Sequence, residues 1–178
     1  MRATLVALIV TVLLQAPPMS LRSSAFKDNG PLPLAYTGYG DFKSPPLAWS
    51  NAPKGTREFV LTLEDPDVPL ERFGVHWLLY DIPATATALP EMAADKATRD
   101  HPAPIQGATR GLNAMKAKGY LPPRPFAGSG VHHYTFTLFA IDIDLTLPEG
   151  ASKEELLTAI KGHVLAEAKL VALFDHNQ

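Results

Sequence analysis

The run that most limits how this chain can fold is residues 130–143, GVHHYTFTLFAIDI. From Tyr134 to Ile143 it has the alternation of a half-buried or fully buried strand, built from aromatic, β-branched and hydroxylated residues with no proline or glycine. Two further runs are strand-like by their β-branched and aromatic residues. Arg57–Glu64 (REFVLTLE) ends at Asp65-Pro66, and Val75–Ile82 (VHWLLYDI) is stopped by Pro83. Ser20–Phe26 and Leu34–Tyr36 are weaker strand candidates. Between Leu89 and Gly130 periodicity is lost among Pro, Gly, Ala and polar residues, so this stretch is expected to be irregular or partly helical; loops of such length in a compact domain are often functional. Ser152-Lys153-Glu154-Glu155 fits a capping box. Leu156, Leu157, Ile160, Val164, Leu165, Ala168 and Val171 then recur at three- and four-residue intervals, which predicts a long amphipathic helix closing the chain on the sheet. The expectation is a mainly β fold with a C-terminal α-helix and short peripheral helices.

With 178 residues the chain suits one domain, and neither internal repeat nor second domain is visible. Its 17 prolines are close to twice the usual share of ~5%, and they cluster (17–18, 45–46, 122/123/125), which suggests shaped loops between short strands. A net charge of −2 with no long basic block argues against a nucleic-acid footprint. Without cysteine there is neither a disulfide framework nor a thiolate nucleophile. The first residues, MRATLVALIVTVLLQAPP, place one cation, Arg2, before an apolar run from Ala3 to Leu14. That run falls short of the ~20 residues a membrane span needs and suits a signal-peptide core. The expected division is a signal peptide over 1–18 and one domain over 19–178, with a periplasmic or secreted location. A buried N-terminal helix is the other reading. The cleavage position is unresolved, since Ala16 is followed by Pro17-Pro18 and Ser23-Ser24-Ala25 lies inside a strand candidate.

Three places hold residue types capable of chemistry. Asp65-Pro66-Asp67-Val68-Pro69 follows a strand, and such a turn commonly uses an Asp carboxylate to accept local amides; the spacing of a calcium loop is missing. His76-Trp77 opens the next strand, nine residues after Asp67, and a hairpin would bring that imidazole to the carboxylates. In the third place, strand alternation groups His132 with Tyr134 and Phe136, and His133 with Thr135 and Thr137. A structural role remains open for each histidine. No G-x-S-x-G, H-E-x-x-H or phosphate-loop motif is present, and the six histidines lack zinc-site spacing. Ser129 lies close to His132 in sequence, a weak signal for a nucleophile.

Taken in order, Ser44-Pro45-Pro46-Leu47-Ala48-Trp49, Asp65-Pro66-Asp67-Val68-Pro69, His76-Trp77, Ile82-Pro83-Ala84, Gly119-Tyr120 and Gly130-Val131-His132-His133-Tyr134 closely resemble the phosphatidylethanolamine-binding protein family, in its bacterial branch of Raf-kinase-inhibitor-like proteins. The resemblance runs from about Ser20 to Phe174. It implies an antiparallel Greek-key β-sandwich with a small anion-binding cavity at one end, lined by Asp65, His76, the Arg124–Pro125 backbone, His132 and Tyr134, with Asp67 and Trp49 in support. No cofactor or metal is implied. The function implied is non-enzymatic binding of a phosphate-bearing or other anionic small ligand, with a kinase- or protease-like protein as a further partner. A hydrolase using the His/Asp pocket, or a protease inhibitor acting through a surface loop, are the alternatives. Leu121-Pro122-Pro123-Arg124-Pro125-Phe126 departs from the Gly-Gly-Pro-Cys-Pro-Pro usual in the branch, so the loop path can differ and Arg124 can add an anion ligand. Pro90–Gln106 departs as well and is expected to be a local insertion. His133 is expected to lie outside the pocket.

Overall fold

A computed structural model describes residues 16–70, 74–93 and 105–177; most of the expected signal segment and of the Pro90–Gln106 insertion lies outside them. Eleven strands and one α-helix succeed one another along the described residues. They are β1 (Ser20–Arg22), β2 (Gly30–Pro31), β3 (Lys43–Ser44), β4 (Leu47–Ser50), β5 (Glu58–Glu64), β6 (Val75–Pro83), β7 (Ala88–Leu89), β8 (Met92–Ala93), β9 (Thr109–Arg110), β10 (His132–Ile141), α1 (Lys153–Ala159) and β11 (Val164–Phe174). The larger sheet has the order β2-β11-β10-β5-β6-β9, a smaller one has the order β1-β4-β7, and β3 pairs with β8 alone. Every one of these pairings is antiparallel except β2 with β11. The strand candidate at Leu34–Tyr36 is instead a single 3-10 turn.

Alternation along the long strands separates two faces of the larger sheet. Phe59, Leu61, Leu63, Trp77, Leu79, Tyr134, Phe136 and Leu138 form one core with Leu21, Trp49 and Leu89 of the smaller sheet, which is the interior of a β-sandwich. Val60, Leu78, Tyr80 and Ile141 face the other way and are covered by Leu156 and Ile160 of the helical segment. Fully burying a side chain of this size stabilises the fold by about 1.5–3 kcal/mol, so the three central strands carry most of the core.

The long C-terminal helix is overturned. Helix α1 begins as the sequence predicts, with Ser152 accepting from the Glu155 backbone N–H and the Glu155 carboxylate accepting from that of Ser152. It ends after Ala159, and Gly162 then takes a positive φ of 83°, a conformation that ends helices and is easy only for glycine. Beyond it the chain enters β11, which pairs with β10 from His132 opposite Phe174 to Ile141 opposite Val164. The inward residues of β11 are Ala168, Leu170, Ala172 and Phe174, a period of two that this segment satisfies alongside the helical one. Replacing Ser152 with alanine removes the cap and is expected to lower stability by about 1 kcal/mol in a urea titration, with β-sheet circular dichroism unchanged.

Candidate functional site

At one end of the larger sheet the ends of β5, β6 and β10 meet. Thr135 pairs with Glu64, so the chain just past β5 brings Asp65 opposite Tyr134. The Asp65 backbone N–H donates to the Gly74 carbonyl at 2.8 Å, which closes the β5–β6 connection. His76 reaches the cluster by a different device. Leu63 pairs with Trp77 and Glu64 with Val75, which leaves His76 as the extra residue of a β-bulge. Strict alternation would send its ring to the face of Leu78 and Tyr80; the bulge re-aims it. Its ring stands edge-on to that of Tyr134, 5.2 Å between centroids.

Asp65, His76, His132 and Tyr134 are 3%, 6%, 7% and 1% exposed, so polar groups here need partners within the protein. Asp65 divides its carboxylate. Oδ1 accepts the Asp67 backbone N–H at 3.0 Å, the turn-forming bond expected from the sequence. Oδ2 accepts from His132 Nδ1 at 2.7 Å. The sequence pairs the aspartate with His76, whereas the direct hydrogen bond goes to His132. His76 Nδ1 donates instead to the Leu121 carbonyl at 2.8 Å, while the Leu121 backbone N–H returns a bond to the His76 carbonyl at 2.7 Å. A carbonyl only accepts, so Nδ1 of His76 carries a proton and Nε2 is the nitrogen that titrates. Burial pushes the pKa of His76 below its ordinary value, against the opposing pull of the Leu121 carbonyl and Asp65. Burial, the Asp65 charge and hydrogen bonding to Asp65 push the Tyr134 hydroxyl far above its ordinary value, so it stays a proton donor.

His133 lies on the outer face, where its backbone N–H and Nδ1 both donate to Asp67 Oδ2, at 2.7 and 2.9 Å. Partial burial raises the Asp67 carboxyl, but these two bonds outweigh it and hold the group below its usual range. Asp67 therefore braces the turn from outside. Arg124 is exposed, its guanidinium carbon 5.3 Å from the centroid of the Tyr39 ring and its stem against Gly38. Pro125 has no N–H, and its carbonyl accepts from the Tyr39 hydroxyl at 2.6 Å, so it contributes shape rather than a donor. Tyr39 stacks on Phe174, the residue paired with His132, and lies 4.4 Å from the His176 ring. Arg124 thus stands on a rim of Tyr39, Phe174 and His176, none of which carries a sequence motif. Trp49 sits in the smaller sheet with its ring edge-on to Phe59 in the sandwich core.

Ser129 proves to be more than a sequence neighbour. Its Oγ is 3.0 Å from His132 Nε2, on the opposite side of the ring from Asp65. Among the described residues no three His, Asp or Glu side chains converge to hold a metal ion. A surface groove of about 860 Å³ exists elsewhere, beside α1, lined by residues such as Val75, Leu112, Lys153 and Leu157. It shares none of the residues of the histidine cluster. No helix among the described residues is long and apolar enough to cross a membrane.

Comparison with known proteins gives consistent matches. The family model for the phosphatidylethanolamine-binding protein matches residues 22–175. A protein named UPF0098 from Methanothermobacter thermautotrophicus is 40% identical over 156 residues, covering 88% of this chain and 98% of that one. A relative in Mycobacterium tuberculosis, named as lipoprotein LppC, is 33% identical and covers 90% of this chain and 74% of its own length. Among solved structures, a phosphatidylethanolamine-binding protein homologue from Chlamydia trachomatis superposes with a TM-score of 0.76 at 35% identity, covering 89% of this chain and 97% of that one. YbcL of Escherichia coli gives 0.77 at 28% identity, with 89% and 99% covered.

Proposed function

Since the chain belongs to the phosphatidylethanolamine-binding protein family, we propose that the cluster of His76, His132, Tyr134 and Asp65 receives phosphate or another small anionic group, with Arg124 at its rim. The observation that carries this reading is the convergence of two buried imidazoles beside a phenol that keeps its proton. Each imidazole has its Nδ1 tied to a fixed acceptor, Leu121 for His76 and Asp65 for His132. Its orientation is therefore set before a ligand arrives, and little ordering entropy is left to be lost on binding. Asp65 is occupied by His132 and the Asp67 amide, which keeps its charge from opposing an anion directly.

A neutral imidazole with Nδ1 protonated offers a lone pair at Nε2, which repels an anion, whereas the imidazolium offers an N–H. His76 is held below its ordinary pKa by burial. An anion bound at Nε2 favours the charged form, so binding takes up a proton and tightens as pH falls. Calorimetric titration with sulfate, whose charge is constant over this range, is expected to give roughly tenfold tighter binding at pH 5.5 than at pH 8, about one pKa unit of linkage. Phosphate should follow the same direction. Arg124→Ala is expected to weaken both by about fivefold, the worth of one charge-assisted contact at an exposed rim. A flat pH profile removes the imidazoles from the reading, and an unchanged affinity in Arg124→Ala removes the arginine.

We also propose that the domain acts outside the cytoplasm. The apolar run from Ala3 to Leu14 after Arg2 and the relative named as a lipoprotein support this.

A further inference from the structure

Asp65 Oδ2, His132 and Ser129 Oγ form an unbroken line of hydrogen bonds, 2.7 Å on one side of the imidazole and 3.0 Å on the other. The order is buried carboxylate, imidazole, exposed hydroxyl. With Nδ1–H directed at the Asp65 carboxylate, Nε2 carries a lone pair pointed at the serine. The Ser129 hydroxyl has one proton and two acceptors within reach, since the Phe126 carbonyl lies 2.8 Å away. Only the imidazole can take that proton outright. Gly128 and Gly130 flank the serine at positive φ, and a Cβ built on either meets nothing within 4 Å, so the hydroxyl stands on an open shoulder. Phe126 and Val131, 86% and 43% exposed, bracket it with apolar surface.

We propose that Ser129, His132 and Asp65 form a nucleophilic relay that takes the acyl group of small carboxylic esters bearing an apolar chain. Ser129 Oγ attacks the ester carbonyl carbon as its proton passes to His132 Nε2. The ester C–O bond then breaks, and the leaving alkoxide receives that proton as an alcohol. Water, deprotonated by the same nitrogen, attacks the acyl-serine, releases the carboxylic acid and restores the Ser129 hydroxyl. Asp65 holds the tautomer and offsets the transient imidazolium charge. Ester and water are consumed and acid and alcohol formed, with no other reagent. The relay shares two residues with the proposed anion site but does not depend on anion binding.

The test is intact-mass and peptide mapping after exposure of the full domain to a fluorophosphonate probe, together with release of p-nitrophenol from p-nitrophenyl butyrate. One adduct on Ser129 is expected, absent in Ser129→Ala. Labelling should slow at least about 100-fold in His132→Gln, the usual contribution of a general base. Ser129 is exposed, so Ser129→Ala leaves the core intact and decides the matter even where His132→Gln fails to fold. No adduct on folded wild type, an adduct elsewhere, or labelling at full rate in folded His132→Gln overturns the relay. Sulfate titration of the wild type separates the two readings: binding without an adduct removes the relay alone, and an adduct without binding removes the anion site alone.

Discussion

Asp65→Ala is expected to lower folding stability by about 3 kcal/mol, which for a domain of this size moves Tm down by roughly 6–12 °C. The magnitude comes from a backbone and an imidazole donor that the carboxylate holds, with the Tyr134 hydroxyl as a third. One oxygen satisfies the Asp67 amide and so shapes the turn that ends β5; the other satisfies Nδ1 of a buried imidazole. Alanine leaves these donors without their acceptor, and a buried donor stripped of its partner costs about 1–3 kcal/mol. Tyr134 loses its charged neighbour as well. Asp65→Asn separates geometry from charge. Its amide oxygen can keep the Asp67 bond, so about 1 kcal/mol is expected. Its NH₂ then faces His132 Nδ1 and forces the opposite tautomer, with Nε2–H toward Ser129. The variant should fold, yet label far more slowly at Ser129. Urea denaturation of the two variants checks the first claim; an Asp65→Ala protein that melts within a degree of wild type would show that the cluster is not structurally integral.

How much of the fold and site is legible in the sequence depends on which kind of information each feature uses. β5, β6 and β10 are readable because each is a run of seven to ten residues rich in apolar, aromatic and β-branched types, bounded by glycine or proline turn signals. The segment from Val164 to Phe174 satisfies two periods at once, and Gly162 is the stop signal that decides between them in favour of the strand. The grouping of His132 with Tyr134, apart from His133, comes directly from alternation, and the structure keeps it. The position of His76 does not, because a bulge is a property of the register between two strands rather than of either one. Its partner is equally hidden. The Leu121 carbonyl is backbone, and any residue at position 121 supplies one. Ser129 gives only a weak sequence signal, since three residues of separation become a hydrogen bond only through the loop conformation that Gly128 and Gly130 permit.

Gly74→Ala is expected to damage fold and site together. A Cβ at this position would lie 2.4 Å from the Asp65 carbonyl oxygen and 3.2 Å from Val68 Cγ2. The nearer atom is backbone and cannot swing aside, and it belongs to the residue whose own N–H donates to the Gly74 carbonyl. Relief therefore has to open the β5–β6 connection, which carries Asp65 on one side and the His76 bulge two residues along on the other. About 3 kcal/mol of stability should be lost, at the upper end of what overpacking costs. Sulfate affinity of the folded protein should fall about tenfold, because both imidazoles are positioned from this connection and a misplaced ligand set loses charge-assisted bonds of about 1.5–3 kcal/mol each. Gly162→Ala is the matched comparison. That glycine has φ of 83° and open space around its Cβ position, so alanine there should cost only about 1–2 kcal/mol for a left-handed conformation and leave anion binding untouched. If Gly74→Ala proves no worse than Gly162→Ala in urea and binds sulfate as wild type does, the close approach at Gly74 does not position the site.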